Sequence, residues 1–176
     1  MAPPQTVVHV KLIVAILWTD HEKLVAATRV MSDEWGEVDF TGPDRPFDST
    51  DYYDREMNGR PQRRLISFQT LVPPESLRAV KLRANAIEDS LAEAGARQVN
   101  LDAGYLDHAK IVLGSLKFAG QKIHLGDGVY ADLVARFRDG RYQPFEWTFP
   151  DFRDGRYDPE LTTIRTKYRQ QLRAVL

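Results

Sequence analysis

Between Asn100 and Asp132 the chain carries a run of side chains able to bind or move protons: Asn100, Asp102, Lys110, Lys117, Lys122, His124, Tyr130 and Asp132. Upstream, Tyr53, Glu56, Arg64 and Lys81 add a phenol, a carboxylate and two cations, and Asp151 adds a further carboxylate downstream. Cations orient anions through charge-assisted hydrogen bonds, while a carboxylate or an imidazole can move a proton. The mixture therefore predicts a pocket for an anionic or phosphorylated small molecule. Asp102, His124 and Glu56 are its candidate proton-transfer groups. Tyr53, Arg64, Lys81, Asn100, Lys117, Tyr130 and Asp151 are its candidate ligand contacts. The alternative is a non-enzymatic interaction module, in which Tyr52, Tyr53, Trp147 and Phe149 form a partner-binding surface, since aromatics often anchor such surfaces.

Other chemistries fit less well. The stretch GSLKFAGQKI (Gly114–Ile123) looks superficially like a phosphate loop. Five residues separate its glycines, Gln121 intervenes before Lys122, and no Ser or Thr follows to hold Mg²⁺. No GxSxG elbow is present. The histidines are His9, His21, His108 and His124, and none are spaced as HxH or HxxxH. Gathering of His124 with Asp102 and Glu56 by the fold is the one metal arrangement left, and no metal is expected. No cofactor motif is legible.

Bulk properties narrow the partners. The 176 residues suit one domain spanning 1–176, with a core that needs no metal or disulfide. Lys+Arg 24 against Asp+Glu 25 gives a net charge of -1, without the basic field that nucleic acids or anionic membranes require. No cysteine is present, so thiolate chemistry is excluded. The apolar run Leu12–Trp18 falls far short of the roughly 20 residues of a membrane span. MAPPQTVVHV lacks the positive n-region of a secretory signal. A soluble, cytoplasmic protein is the expectation.

The elements that must position these side chains read as follows. VVHVKLIVAILW (Val7–Trp18) is a buried strand, and Thr19–Glu22 fits a capping box opening a helix that Gly36 ends. Glu37–Thr50 is a long connection. Asp51–Met57 is expected to be a strand, joined through an Asn58-Gly59 hairpin turn to Arg63–Val72. Leu77, Val80, Ala84, Ile87 and Leu91 mark a second helix, with Lys81, Asn85 and Glu88 along one edge of its apolar stripe. Strands follow at Val99–Leu101, Lys110–Phe118, Lys122–Leu125 and Val129–Phe137, with Asp102-Ala103-Gly104 as a tight turn. FRDGRY occurs at Phe137–Tyr142 and again at Phe152–Tyr157, which reads as two similar turns. A helix from Pro159 to about Leu172 closes the chain. The predicted fold is α+β: a mainly antiparallel sheet with a ferredoxin-like β-α-β-β-α-β start, extra C-terminal strands and a terminal helix.

FDSTDYYDREMNG (Phe47–Gly59), RQVNLDAGYL (Arg97–Leu106), KIVLGSLK (Lys110–Lys117) and EWTFPDF (Glu146–Phe152) resemble, in this order, the bacterial domain-of-unknown-function family catalogued as 4416. Family members usually show proline where Ala103 stands, often Asp where Phe118 stands, and commonly tyrosine at Phe149 and Phe152. Some members are labelled GTP-binding, a label this chain does not inherit because its loop is incomplete. The resemblance implies that Thr50, Tyr52, Tyr53, Glu56, Lys81, Asn100, Asp102, Tyr105, Lys117, Trp147 and Asp151 are family positions. It implies no activity.

Overall fold

A nine-stranded antiparallel sheet organises the computed structural model, which describes residues 3–57 and 59–175. Its centre is β1 (Val10–Trp18), whose β-branched run is buried on both faces. The helix α1 (His21–Trp35) follows, burying Leu24, Ala27 and Met31 at helical spacing. Its N-cap is Asp20, whose carboxylate accepts the amides of Glu22 and Lys23. Thr19, expected to cap, instead donates its hydroxyl to the Met57 carbonyl.

The next segment corrects the sequence reading. Glu37–Thr50 is not all connection: it contains β2 (Val38–Thr41) and the short β3 (Arg45–Pro46). Asp51–Met57 is not a strand; Tyr52–Glu56 form the short helix α2. Tyr53 and Met57 lie one turn apart and pack on Leu17 and Phe47, so tertiary contact overrides the β-propensity of the tyrosines. Asn58, half of the expected hairpin turn, lies outside the described residues. The partner strand is β4 (Gln62–Val72), followed by α3 (Leu77–Leu91) and β5 (Val99–Leu106). Asp102-Ala103-Gly104 is strand, not turn.

With these placements the sheet runs β2-β4-β1-β5, every pair antiparallel. That is the ferredoxin-like arrangement, with α1 and α3 packed on one face through Leu24, Met31, Val80 and Ile87. The sheet continues through β6 (Lys110–Ser115), β8 (Val129–Arg138) and the edge strand β7 (Ile123–Gly126), while β9 (Arg141–Pro144) pairs with β8. The opposite face is covered by α4 (Pro150–Arg153) and α5 (Asp158–Val175), where Tyr157, Leu161, Ile164 and Tyr168 meet Ile13, Ala15 and Leu65. No helix among the described residues is long and apolar enough to cross a membrane.

The two FRDGRY copies make different turns. Asp139 and Gly140 both have positive φ, 51° and 82°, as a tight β8–β9 hairpin requires. Asp154-Gly155 instead links α4 to α5, with Gly155 at φ 81°.

One irregularity creates the site. β5 pairs with β1 along its whole length but with β6 only at Gly104–Leu106. Towards Val99 the β6 side of β5 is open, and α3 side chains take over from the missing strand. The Leu101 amide donates to Glu88 Oε1 at 2.6 Å, and Lys81 Nζ donates to the Leu101 carbonyl at 3.0 Å. Backbone groups that water cannot reach must find such partners.

Candidate functional site

A cleft of about 200 Å³ opens where β5 and β6 part. Asn100 and Asp102 enter it from β5, Lys81 and Asn85 from α3, Tyr53 and Glu56 from α2, and Asp132 from β8. Leu113–Lys117, Lys122, Arg97 and Phe149 complete the wall. The placement follows from local geometry. Asn100 and Asp102 are two apart on one strand and so project together. Lys81 and Asn85 are one helical turn apart on the edge of the stripe. Gly114 permits the approach of α3, because a Cβ there would stand 2.8 Å from Lys81 Cβ.

Charge is dense and mostly paired. Asp102 Oδ2 accepts from Arg63 Nη1 at 2.7 Å, and its Oδ1 accepts from Asn100 Nδ2 at 3.1 Å. Arg63 comes from β4, where it is in register with Leu17 and Asn100 across three strands, within diagonal reach of Asp102. Its Nε lies 3.5 Å from the fully buried Asp151, which also accepts the Tyr157 hydroxyl at 3.0 Å. Arg97 bridges Glu88 at 3.1 Å and Glu56 at 3.6 Å. Lys122 donates to Ser115 Oγ at 2.9 Å and lies 3.4 Å from Asp132. Lys117 differs: it is exposed, its ammonium sits 5.1 Å from the Tyr52 ring centre, and among the described residues no carboxylate lies within salt-bridge distance.

Asp102, Glu88 and Tyr53 titrate away from their ordinary values. Burial alone would push the Asp102 carboxyl up, but Arg63, Lys81 and Asn100 together hold it below its ordinary value. For Glu88 burial wins over Lys81, the Leu101 amide and Arg97, so its carboxyl is raised. Burial, reinforced by the negative charge of Asp102, pushes Tyr53 up to about 12. The two carboxyls act oppositely on stability. Asp102, depressed in the fold, contributes above its unfolded value and loses that contribution as pH falls through the lower folded value. Glu88, raised in the fold, costs stability as pH rises from its unfolded value through the folded one. Glu88→Gln keeps the acceptor for the Leu101 amide without the charge. In urea denaturation its stability should gain on the wild type as pH goes from 4 to 8; a difference independent of pH would contradict this.

Of the residues singled out by sequence, the structure brings Tyr53, Glu56, Lys81, Asn100, Asp102 and Lys117 into the cleft. It separates the other four. Arg64 faces away from Arg63 by strand alternation, pairing with Asp44 at 2.6 Å and lying over Trp18. Asp151 is buried behind the cleft wall as a partner of Arg63. His124 lies exposed on the edge strand β7, its ring 5.1 Å from Tyr130, and neither lines the cleft. Among the described residues no group of three or more His, Asp or Glu converges as a metal-ligand set. The segment resembling a phosphate loop joins β6 to β7, so no helix N-terminus follows it.

Arg63, Asn85 and Arg97 were not among the candidates, and Lys122 and Asp132, which carry chemistry in the sequence, were not assigned to the pocket that they line. A partial signal existed for Arg63: of two adjacent arginines leading into the apolar Leu65, Ile66 and Phe68 of a strand, one turns inward and needs a carboxylate. Lys122 reaches Asp132 through the β7–β8 hairpin, in which the next residue, Ile123, stands opposite Ala131, and Leu113 opposite Asp132 in the β6–β8 register brings the pair to the cleft.

No curated protein and no solved structure matches the chain. The family model described as Domain of unknown function (DUF4416) matches residues 8–168, and the chain belongs to that family.

Proposed function

We propose that the cleft between β5 and β6 binds a small anionic metabolite. The observation that carries this is convergence: four cations, Lys81, Arg97, Lys117 and Lys122, meet three carboxylates, Glu56, Asp102 and Asp132, in one concave opening. Concave sites with a few convergent polar groups are the usual setting for small ligands. Glu56, Asp102 and Asp132 are matched by Arg97, Arg63 and Lys122, and Lys81 lies 4.0 Å from Glu88, so the lining cation left without a carboxylate among the described residues is Lys117. Asp102, held below its ordinary value, is a weak base at neutral pH and fits a hydrogen-bond acceptor better than a general base. Glu56 is the remaining proton-transfer candidate at the cleft. A protein-interaction surface is the second reading, supported by the exposure of Tyr52, Trp147 and Phe149. It is less favoured because Trp147 already donates to the Leu133 carbonyl and stacks on Phe145, while Tyr53 packs on Phe47.

Lys117 is the discriminating position, because Lys81 and Asp102 are also tied into the fold. Calorimetry with inorganic phosphate should show saturable binding that Lys117→Met weakens about tenfold, the loss of one charge-assisted bond of about 1.5 kcal/mol. Folding stability should change by no more than about 0.5 kcal/mol, as for an ordinary surface substitution. Phosphate affinity unaltered by Lys117→Met would overturn the proposal.

A further inference from the structure

We infer that the ligand of this cleft is a small polyhydroxylated anion, the chemistry of a sugar phosphate; this rests on the anion reading above. The cations account for the anionic group. The acceptors specify the rest. Asp132 lines the cleft with its side chain 8% exposed, and its Oδ1 is buried without a hydrogen-bond partner among the described residues. Asn85 Oδ1, also of the cleft wall, is buried and unpartnered in the same way. Asp102 uses one bond on each oxygen, and a carboxylate offers about four acceptor positions. Buried acceptors without a protein donor take one from water or from a ligand, and these line a cleft that a ligand can enter.

Those donors should be neutral. Each lining carboxylate already has a cation within 4 Å: Arg63 at 2.7 Å from Asp102, Lys122 at 3.4 Å from Asp132, Arg97 at 3.6 Å from Glu56. An ammonium on the ligand would find every lining carboxylate already paired and would be repelled by Lys117, which has no carboxylate within salt-bridge distance among the described residues. Hydroxyl groups donate without that cost. The volume of about 200 Å³ lies below the roughly 300–1,000 Å³ of drug-sized sites, which favours a single small sugar. The apolar part of the wall is made by Leu113, Leu116, Phe149 and the ring of Tyr53, against which the carbon face of a sugar ring can pack.

Calorimetry with inorganic phosphate, ribose and ribose 5-phosphate separates the two readings. Ribose 5-phosphate should bind about tenfold more tightly than phosphate, as expected for two neutral hydrogen bonds of roughly 0.7 kcal/mol each, and ribose alone should bind far more weakly than either. Asn85→Leu should cut the preference for ribose 5-phosphate over phosphate by about threefold or more. Equal affinities of the wild type for phosphate and ribose 5-phosphate would overturn the hydroxyl inference and leave the anion reading standing. A preference that survives Asn85→Leu and Asp132→Leu unchanged would overturn the assigned acceptors. Absence of Lys117-dependent binding by either phosphate compound would overturn both readings.

Discussion

Arg63→Met is expected to cost about 3–5 kcal/mol of folding stability, the range for removing one partner from a buried ion pair. The guanidinium is the only cation within 4.0 Å of either Asp102 or Asp151 among the described residues, and Asp151 is 0% exposed. Removing it strands two carboxylates in a medium that solvates them poorly. The neighbouring Arg64→Met removes an identical charge from the same strand but from a half-exposed pair with Asp44, and should cost at most about 1 kcal/mol. Urea denaturation of the two variants makes the comparison. The triple variant Arg63→Met, Asp102→Asn, Asp151→Asn should recover much of the loss, because the stranded charges are gone. Equal, small losses for Arg63→Met and Arg64→Met would mean that the buried network does not hold the fold.

Gly104→Ala should destabilise by about 3 kcal/mol, the upper part of the usual range for overpacking. A Cβ at Gly104 would stand 2.6 Å from Leu113 Cδ2 and 2.8 Å from Leu113 Cα, and would collide with the Val112 carbonyl oxygen. Two of those three atoms are main chain and cannot swing aside. Gly104 is also the last position at which β5 pairs with β6 before the strands part, so the damage falls at the base of the cleft. Gly120→Ala is the matched control: nothing lies within 4 Å of its added Cβ, and its cost should stay within about 0.5 kcal/mol. Similar unfolding midpoints for the two variants would contradict the close approach of β5 and β6.

The parts of this architecture that local chemistry dictates were legible in the chain. Leu77, Val80, Ala84 and Ile87 repeat at helical spacing, and the edge position of Lys81 beside that stripe placed it next to the sheet before any topology was known. Asn100 and Asp102 pointed the same way because strands alternate. The ferredoxin-like order was also readable, although its second strand is Val38–Thr41 and not Asp51–Met57. The tyrosines of Asp51–Met57 favour strand in isolation; docking of Tyr53 and Met57 on Phe47 decides for helix, and that contact is not local. The same limit explains Arg63 and Arg64. β4 is apolar on both faces at Leu65 and Ile66, so alternation could not say which arginine turns inward until the β1 register, Leu17 opposite Arg63, was known. His124 and Tyr130 face each other across the β7–β8 pair, but β7 is the edge of the sheet and neither lines the cleft.

Amide chemical shifts followed during titration with ribose 5-phosphate test the central claim most directly. Saturable shifts should concentrate at Asn100–Asp102, Gly114–Lys117 and Lys122, the segments that line the cleft. Lys117→Met should abolish saturation in the same concentration range. Shifts that rise without saturation and scatter over distant lysines and arginines would contradict a ligand site between β5 and β6.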